Sequence, residues 1–376
     1  MNKNYRFAKN TTNSFFGHFL YEPLIPEGHF VRQARKLINW DRFTFICMKW
    51  YQGKGKVGRP PYEPAMMLRM LFTSYLYNIS ERQVEEMVKF NMLWKYFVGL
   101  GMNEEAPDHS SLTKFKNRLI AGGNQRAYDN LLKEILRQAS QLGIKFGQVQ
   151  VVDSVHVTAN VNPDKDQQRQ KQGKPPRDPD ARWGVKKAKK VKDEKGQERK
   201  IPLYFYGYKS HVSLNAKNRL VTSLKTTPGN KYDGHELPAL VQKDEKLKLN
   251  KLLPKKRIYT ADKAYDDGDN HQLLKEGKLG DAICLNDYRT KKKNPNKEPW
   301  LKLKQSTTYQ RAIKQRYKIE QTFAIKKNGH GLRRCRYLGA KRFNLQAQLT
   351  AITYNLTVVV ASLTGHTLKG YAWCHT

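Results

Sequence analysis

The chain has 376 residues, room for two domains of roughly 100–200 residues each, which excludes a single small disulfide-stapled module. Its 70 Lys and Arg against 33 Asp and Glu leave a formal charge of +37, a self-repulsion that argues for a polyanionic partner rather than ordinary metabolic chemistry. With 39% hydrophobic residues, including 20 Tyr, 15 Phe and 6 Trp, it is too rich in large apolar groups for a disordered basic tail, and reads as a folded protein that meets phosphate.

The opening residues, MNKNYRFAKNTTNSFFGHFL, lack the continuous apolar core of an export signal. The apolar stretch Met66–Leu76 is interrupted by Arg69 and is too short to span a bilayer. A cytoplasmic, nucleoid-associated protein with no membrane partner is expected. Cys47, Cys284, Cys335 and Cys374 lie far apart with no CxxC pair, so neither a zinc knuckle nor a disulfide framework is expected.

From Pro61 to about Leu142 the periodicity is helical. Met67, Leu68, Leu71, Phe72, Tyr75 and Leu76 recur at the spacing of one buried helix face. Ser80 with Gln83 forms a capping box for a second helix. A third starts near Ser110 and carries Leu112, Phe115 and Leu119, with Lys114, Lys116 and Arg118 between them as candidate DNA contacts. This pattern fits a small bundle with a solvated basic face as well as it fits a DNA-docking helix-turn-helix.

At Gly147 the period changes to that of a strand. QVQVVDSVHVTAN alternates, is rich in Val and carries Asp153 in its middle. Pro163–Lys200 holds 14 Lys and Arg and 7 Asp and Glu, with Trp183 its single aromatic, and reads as a mobile basic insertion that DNA would order. Two further strands, LYFYGYKSHVSLN and RLVTSLKTT, are separated by hairpin spacing. A helix over about Gly234–Leu249 leads to the buried strand RIYTAD, which ends at Asp262. A helix around Asp267–Glu276, a short strand DAICLN and a basic linker follow. One long helix is expected from about Thr308 to Lys327 and a final apolar helix from about Phe343 to Leu363.

Three acids sit where a hydrophobic pattern would not place charge: Asp153 within a strand, Asp262 at the end of another, and Glu320 on a helix. Taken singly, these fit an edge residue, a cap and a surface pair with Arg316. Taken together, in a chain of this charge, they suit a hard divalent cation. Mg²⁺ (or Mn²⁺), as two ions about 3.5–4 Å apart, would activate an attacking hydroxyl and stabilise a leaving oxygen in phosphoryl displacement. Repulsion among the carboxylates is what would make the site require metal. His156, His211 and His235 lack HxxxH spacing and fit packing or DNA contact better than metal ligation. Asp266 and Asp267 are rivals to Asp262, but they sit where a helix cap is expected.

The order of blocks resembles the DDE transposases of bacterial insertion sequences, in the branch with a ribonuclease-H-like core and a small helical N-terminal domain. GRPPYEP, SERQ and PDHSSLTKFKNRL resemble that N-terminal domain; VVDSVHV, DPDARWG, YGYKSHV and TADKAYDD resemble the core. The last block resembles the family's Tyr-x2-Arg-x3-Glu-x6-Lys signature through Arg316, Glu320 and Lys327, but Ile313 stands at the Tyr position and Tyr309 lies one helical turn earlier. On one helix face, Arg316 and Lys327 would flank Glu320 and hold DNA phosphates. Arg333, Arg334 and Arg336 form a second basic patch able to track the backbone.

The expected fold is α/β, a ribonuclease-H-like mixed sheet flanked by helices and preceded by an all-helical N-terminal domain. Residues 1–146 would bind DNA ends or dimerise, and residues 147–365 would form the catalytic domain, with a basic insertion at about 160–202. The resemblance implies binding of terminal inverted repeats, metal-dependent cleavage by Asp153, Asp262 and Glu320, joining to target DNA, and a homodimer or larger complex. A nuclease of the same core without joining activity and a non-catalytic DNA-binding protein are the alternatives.

Overall fold

The computed structural model of the protein describes residues 7, 21, 23–51, 60–121, 126–192 and 198–366. Most of the opening segment, Gly58 and Arg59 of the GRPPYEP block, the tip of the basic insertion at 193–197, and Cys374 lie outside the described residues. Two compact units are present: Met1–Ile144 with Gln348–Thr376, and Lys145–Ala347.

The first unit is helical. Pro64 opens the helix Pro64–Leu76, every residue of which is buried, so it forms the centre of this unit. Its one charge, Arg69, is held by the carbonyls of Ala65 (3.3 Å) and Phe97 (3.2 Å), and burial pushes its pKa down to about 9. The capping box forms as its sequence dictates: Gln83 N–H donates to Ser80 Oγ, and Ser80 N–H donates to Gln83 Oε1, at the start of Glu81–Phe90. Asp108 caps His109–Ile120, and Glu85 Oε2 accepts from His109 N–H and lies 2.8 Å from its Nδ1, tying that helix to Glu81–Phe90. The helix Ala340–Thr364 is long and apolar enough to cross a bilayer by composition alone, yet 83% of its most apolar window is buried in the protein. From Gln348 onward it belongs to this unit.

The second unit is built on one mixed sheet of six strands among the described residues: β1 (Val149–Thr158), β2 (Arg182–Lys192), β3 (Glu198–Asn215), β4 (Val221–Pro228), β5 (Ile258–Ala261) and β6 (Gly280–Ile283). β3 pairs antiparallel with β1, β2 and β4, whereas β5 is parallel to β1 and to β6. The spatial order β4-β3-β1-β5-β6 follows, with β2 paired to the first half of β3. Alternation sorts the side chains of β5: Tyr259 and Ala261 join Val152, Leu237, Leu240 and Leu274 in one apolar layer, while Ile258 packs with Ala282, Tyr309 and Ala312 in the other. The helices Leu237–Leu249 and Gly268–Glu276 thus cover one face, and Thr307–Ile313 covers the other. At Gly207, where β3 crosses the end of β1, a Cβ would lie 2.1 Å from the Val157 carbonyl oxygen, so no side chain fits.

Two sequence expectations are revised. The basic insertion is not without structure: Asn162 caps a helix over Pro163–Lys171, and β2 pairs with β3 from Arg182↔Gly207 to Lys192↔Glu198. Its acids perform the ordering, since Asp166 accepts from Arg177 N–H (2.7 Å) and Asp178 accepts from the Tyr208 hydroxyl (2.5 Å). The expected single helix Thr308–Lys327 is two, Thr307–Ile313 and Tyr317–Asn328, joined by a tight turn. There the backbone bonds shorten to three-residue steps, Gln315 N to Ala312 O and Arg316 N to Ile313 O.

Candidate active site

The placement of Asp153 and Asp262 follows from strand register. β1 and β5 pair in parallel through Val149↔Ile258 and Val151↔Thr260. Continued by two residues, this register sets Asp153 opposite Asp262, on strands separated by about 4.8 Å. Asp262 lies just past the last residue of β5 and caps the turn Lys263–Tyr265, accepting from Ala264 N–H at 2.9 Å. Asp153 accepts from Ser154 N–H at 2.7 Å.

The site is short of positive charge. Burial and the neighbouring Asp262 push the Asp153 pKa up to about 7, with Asp233 adding to the rise and Arg316 opposing it. Asp262 is raised by burial and by Asp233, again against Arg316. Two adjacent carboxylates that resist ionisation, with oxygen donors only, are a chemical match for a hard divalent cation, which Mg²⁺ satisfies with one or two carboxylates plus water and phosphate oxygens. Among the described residues no three His, Cys, Asp or Glu stand close enough together to enclose an ion by themselves.

The turn at 314–316 decides where the third block points. Arg316 is the N-cap of Tyr317–Asn328; its Nη1 lies 3.6 Å from Cys284 Sγ, just beyond β6, and its Nη2 lies 3.6 Å from Glu320 Oε1. Glu320 is 65% exposed, standing out from the helix with Arg316 as its ion-pair partner. Lys327 is half-buried near the end of this helix, whereas Lys326 is fully buried, and burial pushes its pKa down to about 7. Tyr309 is a core residue: its hydroxyl accepts from Leu285 N–H (3.3 Å), and burial pushes its pKa up to about 12.

Arg333 and Arg334 are exposed where their segment docks along the end of β1, with Cys335 N–H donating to Thr158 O at 2.8 Å. Of the three N-terminal cations, Lys114 is exposed and Arg118 stacks on Tyr51, 4.3 Å from the ring centre. Lys116 differs from expectation. It is only 4% exposed and forms an ion pair with Glu81 of the neighbouring helix, because position 116 shares the buried face with Leu112, Phe115 and Leu119.

Asp267 caps Gly268–Glu276, accepting from Asp269 N–H, while Asp266 is buried in an ionic network with His271 (2.8 Å) and Arg289 (2.5 Å). His211 is buried, its Nε2 2.8 Å from Thr227 Oγ1. Sequence reasoning passed over Asp233, whose charge acts on both aspartates. The one hint was the Asp-Gly step in KYDGHE just after a strand, a pattern that ordinarily signals no more than a turn.

Residues 144–356 match the family model described as Transposase DDE domain, and residues 19–118 match the model described as Transposase domain (DUF772). Among solved structures, the chain is similar to a piggyBac transposase synaptic complex with hairpin DNA, at 9% identity over 92% of this chain and 76% of that one, with a TM-score of 0.39. It is also similar to a Mos1 transposase paired-end complex with left transposon end, at 12% identity over 76% of this chain and 88% of that one, with a TM-score of 0.21. Because the DDE match extends over more than half of the chain and takes in the whole sheet with both facing aspartates, the protein belongs to the DDE transposase family.

Proposed function

We propose that this transposase mobilises a bacterial insertion sequence: it binds the terminal inverted repeats, hydrolyses phosphodiester bonds at the ends and joins the freed 3′-hydroxyl to target DNA. The observation that carries this reading is the pairing of Asp153 and Asp262 by the parallel β1–β5 register, with Arg316 alongside. Asp153, Asp262 and Glu320 are the catalytic acids and would hold Mg²⁺ or Mn²⁺, as two ions. A divalent cation bound there supplies Lewis acidity for the attacking water or hydroxyl and for the leaving oxygen. Asp153 would hold a cation from within β1 and Asp262 from the turn that follows β5. Glu320 is one side chain on an exposed helical surface, free to turn inward when DNA neutralises its Arg316 partner.

Arg316, Lys327, Arg333 and Arg334 hold DNA phosphates around this centre. In the N-terminal unit, Lys114 and Arg118 are the exposed cations of His109–Ile120 and contact DNA there, whereas Lys116 supports the bundle. Residues 1–146 carry end recognition or dimerisation, residues 147–365 carry the chemistry, and the active complex is a dimer or larger.

Incubation of the purified protein with Mg²⁺ and DNA carrying the ends that flank its gene tests this reading. Cuts at the repeat ends and covalent joining to target are expected. Cuts without joining would leave only the nuclease activity, and no cutting of any DNA would remove the catalytic assignment.

A further inference from the structure

The run that carries Arg333 and Arg334 is fastened along both of its edges. It follows the helix Tyr317–Asn328, turns at Gly331 through a left-handed backbone (φ 71°) that favours glycine, and lies along the end of β1. Cys335 N–H donates to the Thr158 carbonyl (2.8 Å) and Thr158 N–H to the Arg333 carbonyl (3.3 Å), so Arg334 stands level with Thr158 as one more step of the sheet. Arg333 Nη2 also donates to Asn328 Oδ1 (2.7 Å), at the end of the helix that carries Glu320 and Lys327.

One buried side chain holds the other edge. Gln346 is 0% exposed and lies on the first part of the helix Ala340–Thr364, within the second unit. Its Oε1 accepts from Arg336 N–H (2.7 Å), and its Nε2 donates to the carbonyls of Gly331 and Arg334 (2.9 Å each). This use of one acceptor and two donors takes an amide, which neither a carboxylate nor an apolar side chain can replace. The start of the helix is itself set by the basic insertion, since Asp180 Oδ2 accepts from Ala340 N–H (2.8 Å).

Strand geometry gives the reach. Asp153 and Thr158 are five residues apart on β1, about 17 Å at about 3.3 Å per residue. Phosphates of one DNA strand recur about every 3.4 Å of helix axis, so this is the length of about five nucleotides. We infer that Gln346 is a positioning residue, which sets the Gly331–Arg336 backbone so that Arg333 and Arg334 hold a phosphate about five nucleotides from the bond being cut. This rests on Asp153 lying at that bond and on the two arginines as phosphate holders.

The test is equilibrium binding of the full-length protein, in chelator so that no bond is cut, to duplexes carrying the ends that flank its gene. One neutral methylphosphonate is moved stepwise away from the cut. In the wild type, neutralising the phosphate about five nucleotides out is expected to weaken binding about tenfold. Arg333→Ala with Arg334→Ala should become indifferent to that position. Gln346→Leu and Gln346→Glu keep both arginines and should lose most of the same sensitivity, while phosphates beside the cut are felt as in the wild type; a merely structural role would lower affinity at every position alike. Amide exchange in the DNA-free wild type needs no variant: Arg336 N–H, donated to a buried acceptor, should exchange as slowly as the amides of β1. Uniform losses or unchanged sensitivity in the Gln346 variants, or fast exchange at Arg336, would overturn the positioning role. Sensitivity confined to phosphates beside the cut would overturn the five-nucleotide placement, and a wild type indifferent at every position would instead overturn the reading of this unit as DNA-holding.

Discussion

Replacing the acid at the heart of the site should stabilise the protein while disabling it. The Asp153 carboxyl, held up to about 7 by burial and by Asp262, titrates near 4 once the chain unfolds. The folded state therefore binds the proton more tightly, and the stability of the metal-free protein falls as pH rises from about 4 to about 7, then levels off. A difference of about three units corresponds to about 4 kcal/mol as an upper bound. Asp153 keeps part of its surface in water, so screening brings the expected gain from Asp153→Asn to on the order of 1–3 kcal/mol at pH 8. At roughly 2–4 °C per kcal/mol for a unit of about 200 residues, that is a rise of several degrees in Tm. The assay is thermal unfolding of both proteins in chelator at pH 4.5, 6, 7 and 8, followed by Mg²⁺ titration at pH 8. The Tm gap should open between pH 4.5 and 7 and stay level above, and Mg²⁺ should raise the Tm of the wild type alone. A gap absent at pH 8, or equally large at pH 4.5, would refute the electrostatic reasoning.

Other outcomes follow from the same geometry. Asp262→Asn and Glu320→Gln should each abolish DNA cleavage while leaving end binding intact, since the amide keeps shape and loses the charge that holds a cation; near wild-type cutting would remove that residue from the site. Lys116→Ala should lower stability by about 1–3 kcal/mol, by removing the Lys116 partner of half-buried Glu81 and leaving a hole on the packed helix face, with end preference unchanged in whatever protein remains folded. Lys114→Ala with Arg118→Ala should weaken DNA binding without a comparable loss of Tm, and the ratio of end to non-end affinity at one salt concentration then separates base reading from phosphate holding. With a formal charge of +37, affinity for unrelated duplex should fall steeply between about 50 and 200 mM salt, by about 0.9 in log K per unit of log salt for each phosphate neutralised; a flat dependence would assign the charge to something other than DNA.

What the sequence determined by itself is what depends on near neighbours in the chain. The alternation around Asp153, the short apolar run before Asp262, the Ser80–Gln83 box and the Asp108 cap each involve residues within a few positions, and each forms as its local pattern requires. That Asp153 and Asp262 would be set apart from the apolar pattern was legible too, but it is the parallel β1–β5 register that sets them opposite each other. Tertiary structure decided the rest. Lys116 looked like a surface cation until Glu81, 35 residues away, drew it inside. The basic insertion has no apolar core of its own, and takes its order from the β3 backbone and from Asp166 and Asp178. Nothing in the local periodicity breaks the helix at 314–316; Tyr309, anchored at Leu285, and Lys318, anchored at the Ala216 carbonyl, tie the two halves to different parts of the sheet. The turns Asp233–Glu236 and Lys263–Tyr265, 30 residues apart, meet because Gly234 and Asn270 fit them together. Such close approaches depend on shape and desolvation across the folded unit, and neither is encoded in the spacing of residues along the chain.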